Sequence, residues 1–206
     1  MPVLEADPGA PVSEAAAANL AGCLPGGIGR PGLSGPADPN GPIWKEGAFR
    51  LDPFQVAPAS GELGAGPLLV AKARWLGDRA QLLARGGPLG LFLEAGMSLD
   101  DVADDVGRFV LIALNFPKFS DGRAFSTARL LREKFGYRGE LRAVGNVLCD
   151  QIPFMRRVGF DAFEVSHAPT RRALGAGELA EVRLYYQPVG AAAEPGTRSW
   201  LRTGAA

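Results

Sequence analysis

Cysteine and histidine are almost missing from this 206-residue chain, which has two of the first, Cys23 and Cys149, and one of the second, His167. The cysteines stand far apart in sequence, and neither has the spacing of a metal or redox pair. The chain therefore cannot by itself ligate an iron–sulfur cluster or a structural zinc. Cofactor signatures are missing too: no G-x-G-x-x-G follows a strand, and there is no Walker loop, G-x-S-x-G elbow or H-E-x-x-H. No cofactor and no metal are expected on these grounds. No apolar run approaches the roughly 20 residues that span a bilayer. An excess of one charge is missing as well: 22 Lys and Arg balance 22 Asp and Glu. Nothing then draws the chain as a whole onto nucleic acid or an anionic membrane. The start MPVLEADPGAPVSE has acids where a signal peptide needs a basic segment, so a cytoplasmic protein is expected.

What is abundant is glycine and proline, and both are concentrated at the N-terminus. Sixteen of the first 42 residues are one or the other. Such a composition sustains neither helix nor ladder, so residues 1–42 are expected to form a disordered head. Residues 43–189 are expected to form one α/β domain and 190–206 a flexible tail, where Trp200 and Leu201 are the only sizeable apolar residues. IWKEGAFRLDPFQV, from Ile43 to Val56, reads as a hairpin or extended arm turning at Lys45, Glu46 and Gly47. Leu69, Ala73, Leu76, Ala80 and Leu83 recur at intervals of four and three, one helical face ended by Gly86 and Gly87.

Regular alternation follows. Leu89 to Leu93 reads as a strand. Ser98 and Asp101 form a capping box before a helix whose stripe is Leu99, Val102, Ala103, Val106 and Phe109. Val110 to Phe116 is a continuous apolar strand, expected where both faces of a sheet are covered. A helix capped by Ser120 or Asp121 runs to Gly136, a strand spans Glu140 to Val147, and a helix spans Asp150 to Val158 with Pro153 in its first turn. Asp161 to Val165 is a further strand, Thr170 to Val182 a further helix, and RLYYQPV a final strand. The expected fold is α/β, a mostly parallel sheet of four to five strands with alternating helices. An open doubly wound sheet is the first choice and a partial TIM-barrel-like sheet the second.

Ligands of open parallel sheets bind beyond the carboxyl ends of the strands. That rule selects Glu94; Lys118, Ser120, Asp121, Gly122 and Arg123; Asp150 and Gln151; and Ser166, His167, Thr170 and Arg171. The loop from Lys118 to Arg123 offers a lysine, a hydroxyl, an arginine and the exposed N–H groups of a helix start, a set able to hold a small anion. The alternative is that Asp121 caps the helix and pairs with Arg123. Arg142 stands mid-strand on the side of Val144 and Asn146, which implies either a buried ion pair with Glu140, Asp121 or Asp150, or a place in an active site. His167 and Asp150 complete the catalytic candidates with Arg142. Between Asp121 and Arg157 eight basic residues face four acidic ones, and Arg129, Arg156 and Arg157 become candidates for contact with an acidic partner or polyanion. Arg132 and Arg138, on a helix face and a turn, are expected to tolerate truncation at a cost within about 0.5 kcal/mol.

The string from Phe116 to Val165, FPKFSDGRAFSTARLLREKFGYRGELRAVGNVLCDQIPFMRRVGFDAFEV, resembles the signature of a bacterial domain-of-unknown-function family, number nine-three-four. Its members are often labelled oxidoreductases involved in sulfite reduction. The likeness covers roughly Ile43 to Tyr186, and Asp121, Gly122, Arg123, Ser126, Arg129, Arg142, Gly145, Asp150 and Gly159 match its motif. The resemblance implies a place in sulfur assimilation and cysteine biosynthesis, with sulfite reductase or a related enzyme as partner. Two functions follow: an accessory protein that docks on the sulfite reductase system, or a small enzyme that binds a sulfur oxyanion at residues 118–123 with Arg142 and His167 in polarisation and proton transfer. A polar crevice uniting Lys118, Arg123, Arg142 and Asp150 would mark the enzyme, and scattered positions the docking protein.

Overall fold

The computed structural model describes residues 41–179. The head, but for its last two residues, the tail and the RLYYQPV strand lie outside them. Eight strands form one sheet: β1 Ile43–Lys45, β2 Ala48–Arg50, β3 Gln55–Val56, β4 Leu68–Ala71, β5 Leu89–Leu93, β6 Leu111–Phe116, β7 Glu140–Gly145 and β8 Ala162–Glu164. Their order across the sheet is β2-β1-β8-β7-β6-β5-β4-β3. Strands β3 to β8 are parallel neighbours in chain order, and the β1–β2 hairpin joins antiparallel along β8. The hairpin turn needs positive φ at both central residues, as a type I′ turn does, and Glu46 and Gly47 have φ of 53° and 78°.

The sheet has to curl. Laid flat, β2 and β3 would be separated by seven interstrand spacings, about 34 Å. Only Leu51 to Phe54 connect them, and that link spans at most about 18 Å. The result is a barrel-like arc, open between β2 and β3. Sequential order with right-handed crossovers puts every helix on the outside. One apolar cluster accordingly joins the outward strand residues (Val70, Leu91, Ile112, Leu114, Leu141, Ala143, Phe163) to helix residues such as Trp75, Leu82, Ala128, Leu131 and Met155. The second cluster, Phe54, Leu69, Phe92, Leu111, Ala113 and Val144, lies on the concave face and contains no helix residue. The doubly wound expectation and the count of four to five strands are thus corrected; α/β stands, and the arc fits the barrel-like alternative.

The helices are α1 Lys72–Ala84, a 3-10 helix Asp100–Arg108, α2 Arg123–Glu133, α3 Ile152–Arg157 and α4 Ala168–Gly175. The first differs most from expectation. Leu68 to Ala71 is strand, and it runs into α1 with no turn residue between. The buried helix residues include Trp75 and Leu82, whereas Leu76 and Leu83 are exposed. Two arginines of α1 hold the long β3–β4 loop through its carbonyls, Arg74 on Pro58 and Gly61 and Arg85 on Gly64 and Gly66. Ser98 Oγ accepts the N–H of Asp100 at 3.1 Å, a turn two residues long that opens a 3-10 helix in place of the expected capping box.

Arg132 also corrects expectation. Its guanidinium donates to Tyr137 O (2.7 Å), Gly139 O (3.0 Å) and Gly159 O (2.8 and 3.0 Å), and meets Asp161 Oδ2 at 2.5 Å. It therefore fastens α2 to the starts of both β7 and β8. Gly159 permits the approach: its φ is +107°, and a Cβ there would stand 2.6 Å from Arg132 Cγ. Arg129, by contrast, makes a single exposed pair with Glu133 at 2.8 Å. Arg132→Ala leaves several loop carbonyls without their donors and should cost about 1–3 kcal/mol, against less than about 0.5 kcal/mol for Arg129→Ala. Urea unfolding at unchanged m-value measures the difference, and equal midpoints would show that Arg132 is no tether.

Candidate functional site

Period-two alternation turns Glu140, Arg142 and Val144 toward the concave face of β7, Ala162 and Glu164 toward it from β8, and Ile43 and Lys45 from β1. The sequence therefore turns charge inward from three neighbouring strands, and the charges meet there. Arg142 is 1% exposed. Its Nε and Nη2 donate to Glu140 Oε1 at 3.0 and 2.8 Å, and its Nη1 donates to Asp52 Oδ2 at 2.8 Å. Lys45 Nζ holds the other oxygen of Glu140 at 2.8 Å. The ring of Phe54 lies 5.7 Å from the guanidinium, and Asp52 Oδ1 accepts the N–H of Phe54 at 3.0 Å. Arg142 thus ties the Leu51–Phe54 link onto the middle of the sheet.

Electrostatics follow from this count of charges. Burial by itself would lower the Arg142 pKa, but Asp52 and Glu140 outweigh it and hold the group above its ordinary value. Burial likewise works to raise Glu140, and Arg142 and Lys45 overcome it and keep the carboxyl below its ordinary value. Two cations are matched by two carboxylates. Glu164, 3% exposed, is the third carboxyl and forms no ion pair among the described residues. Its Oε2 has no hydrogen-bond partner among the described residues. Burial, with a contribution from Asp52 against the opposing pull of Arg142, pushes it up to about 8, so it is mostly protonated at neutral pH.

At the carboxyl end of the strands Asn115 Nδ2 donates to Glu94 Oε2 at 2.7 Å. Beside them Gly145 has φ +90°, and a Cβ on it would meet Asn115 Oδ1 at 2.5 Å. Next to this mouth is the loop of Lys118, Ser120, Asp121, Gly122 and Arg123. Asp121 accepts the N–H of Arg123 at 3.2 Å and takes its guanidinium in two bonds of 2.9 and 2.7 Å. The hydrogen bond from Arg123 holds the Asp121 carboxyl down at about 2. A carboxylate already stands at the start of α2, between the helix N–H groups and Arg123.

The other candidates are dispersed. His167 caps α4, its Nδ1 2.9 Å from Thr170 Oγ1 and 3.4 Å from Thr170 N. Asp150 is exposed in the turn before α3. Arg129 pairs with Glu133, and Arg157 lies over Phe154 at 5.7 Å. Arg156, its sequence neighbour, lines a cavity on the outer layer beside Asp161 and Phe160. Arg142 pairs laterally with Ala113 and Ala162, three residues below the Phe116–Gly145 pair that ends β6 and β7. That places it about 10 Å below the rim that carries Lys118 and Arg123. Lys118, Arg123, Arg142 and Asp150 are therefore not brought to one point.

Asp52, Lys45 and Glu164 were not among the sequence candidates. Lys45 and Glu164 were detectable as charges at inward positions of short strands. Asp52, 90 residues from Arg142, carried no such signal. Among the described residues no group of three or more His, Cys, Asp and Glu is placed to hold a metal, and no helix is long and apolar enough to cross a membrane.

Over residues 90–197, just over half of its length, the chain matches the family of bacterial proteins of unknown function DUF934, and it belongs to that family. No curated protein matches it. The match begins in β5 and takes in Glu140, Arg142 and Glu164, while Asp52 and Lys45 stand before it.

Glu164 sets a pH dependence. Its folded pKa is raised from the ordinary 4.5 to about 8, so the unfolded chain holds fewer protons between those values. Its contribution is fully present below 4.5 and is lost as pH rises to about 8, at no more than about 1.4 kcal/mol per pH unit. Glu164→Gln should flatten the fall in stability between pH 5 and 8, measured as urea midpoints across that range. An unchanged slope would mean that Glu164 is ionised in the folded protein.

Proposed function

We propose that this DUF934 protein is an accessory factor of assimilatory sulfite reduction, one that docks on the sulfite reductase system and performs no chemistry of its own. The resemblance of the Phe116 to Val165 segment supplies the pathway. The dispersal of the charged candidates supports docking over catalysis: Arg142 is committed to Asp52 and Glu140, Arg123 to Asp121, and His167 to a helix cap. The competing enzyme, binding a sulfur oxyanion at residues 118–123, would need those groups free and convergent.

The surface offers a docking feature. Phe119 and Phe154 are 53% and 44% exposed. Gln151 Nε2 donates to Phe119 O at 3.2 Å, which holds the loop of Phe119 against the start of α3. Phe154 is seated on Phe125 with ring centroids 4.7 Å apart, and Phe125 on the buried Phe116 at 5.0 Å. An exposed ring braced through the half-buried Phe125 on the buried Phe116 loses little freedom on binding, which is what an interface anchor requires. Arg157 stands over Phe154 and Arg129 lies one turn along α2 from Phe125. The patch suits an acidic partner surface with an apolar recess.

Deleting the gene should leave growth on cysteine intact and impair growth on sulfate; normal growth on both sulfate and sulfite as sole sulfur source would remove the pathway assignment. Phe119→Ser with Phe154→Ala should change folding stability by no more than about 1 kcal/mol, yet abolish co-purification with the reductase and fail to restore growth. Full complementation by that double variant would place the interface elsewhere.

A further inference from the structure

The apolar repeat of Ala73, Leu76, Ala80 and Leu83 is not the side of α1 that fills the core. Trp75 and Leu82 do that and are fully buried, whereas Leu76 and Leu83 are 44% and 36% exposed. Trp75 and Leu82 stand seven residues apart, as Leu76 and Leu83 do, so each pair shares a face even though Asp78 leaves helical φ/ψ between them. Ala80 lies beside the two leucines, and Gly77, Gln81 and Ala84 complete the exposed side. The helix therefore carries a second apolar stripe, turned away from the first.

A surface helix ordinarily presents charge to water, and the exposed sides of α2, α3 and α4 carry Arg129, Arg156 and Arg172. On α1 each charge is closed by a partner within the chain. Asp105 takes Arg79 in two bonds of 2.6 Å, Asp101 takes Lys72 at 2.6 Å, and Asp78 takes Arg74 at 2.8 Å. Arg85, the residue that ends the helix, is held by loop carbonyls. A face of this kind offers little to a strongly acidic or basic partner, but a like face can approach it without repulsion. The chain as a whole has no net charge to oppose that approach. The stripe also complements itself. Laid antiparallel about a two-fold axis near Ala80, Leu76 of one copy meets Leu83 of the other, and Ala73, Gly77 and Ala84 are small enough for the two helices to pack closely.

We infer that the exposed face of α1 is a homodimer interface, packed antiparallel on the same face of a second copy with Leu76 against Leu83. One helix face is smaller than the roughly 800 Å² per partner of a standard interface, so the dimer is weak and concentration-dependent. The interface is separate from Phe119 and Phe154 and does not rest on the reductase reading.

Sedimentation equilibrium of the full chain, from about 1 μM to about 1 mM, covers the range of weak association. The mass should rise from monomer toward dimer. Leu76→Glu with Leu83→Glu sets like charges against each other twice and should weaken association by about tenfold or more. Leu76→Glu with Leu83→Lys sets opposite charges against each other only in the antiparallel pairing, and should associate about tenfold more tightly than the double glutamate variant. Both positions are exposed, so the variants should keep the wild-type urea midpoint at the lowest concentration; Leu76→Ala with Leu83→Ala, which adds no charge, should weaken the dimer in the same direction if the glutamates disturb folding. Phe119→Ser with Phe154→Ala should leave the dimer as it was. A wild-type chain that stays monomeric throughout, a dimer that ignores the double glutamate variant or is lost with the Phe119 and Phe154 changes, or a Glu and Lys variant as weak as the double glutamate one would overturn the assignment.

Discussion

A guanidinium inside a curled sheet is tolerable only when carboxylates are buried with it, because an ion taken out of water without partners costs several kcal/mol. Arg142 meets that condition with one carboxylate from its own strand, Glu140, and one from Asp52 in the link between β2 and β3. The second partner has architectural consequences. Asp52 sits in the four residues that must cross the open side of the arc, and Phe54 of the same link belongs to the concave apolar cluster. Fastening Asp52 therefore places the cover over the inside of the sheet. A buried ion pair is weak evidence for net stability, since well-packed apolar residues can replace one without loss. Its role here is positional: it fixes where the link lies and how far the sheet curls.

Among the described residues the same network leaves the interior no spare cation. Glu164 is then kept protonated by burial, and the concave face becomes a packed, charge-balanced core. Arg142, Asp52 and Glu140 are thereby engaged in holding the fold. Exposed aromatic rings remain on the outside, at Phe119 and Phe154 beside α2 and α3.

Much of the fold was legible in the sequence wherever period and punctuation agreed. Leu89 to Leu93 and Val110 to Phe116 read as strands because continuous apolar runs belong to sheets covered on both faces, and the strands Leu89–Leu93 and Leu111–Phe116 are buried throughout. The hairpin at Glu46–Gly47 carried its turn chemistry. Leu68 to Ala71 was hidden because Leu69 happens to continue the spacing of the following helix, and nothing punctuates the junction. The sheet appeared smaller than it is because β1, β2 and β3 have two or three residues each, too short for a period. Of the site, the inward direction of Arg142 and its pairing with Glu140 followed from alternation and proximity. Its bond to Asp52 did not, since pairing across 90 residues depends on the curl, which depends in turn on the short link. Arg132 was misjudged for a related reason: helical position gives the direction of a side chain, not the loop carbonyls that fold back to meet it.

The account depends most directly on whether Asp52 and Arg142 act as one unit. A double-mutant cycle with Asp52→Asn, Arg142→Met and the pair, followed by urea unfolding at constant pH, isolates their coupling from the cost of each change. Residues joined in a buried network couple by up to about 3 kcal/mol, and the account predicts a coupling free energy above about 1.5 kcal/mol. Additive losses would contradict it: the link would then be held by packing alone, and Arg142 would be no anchor for it.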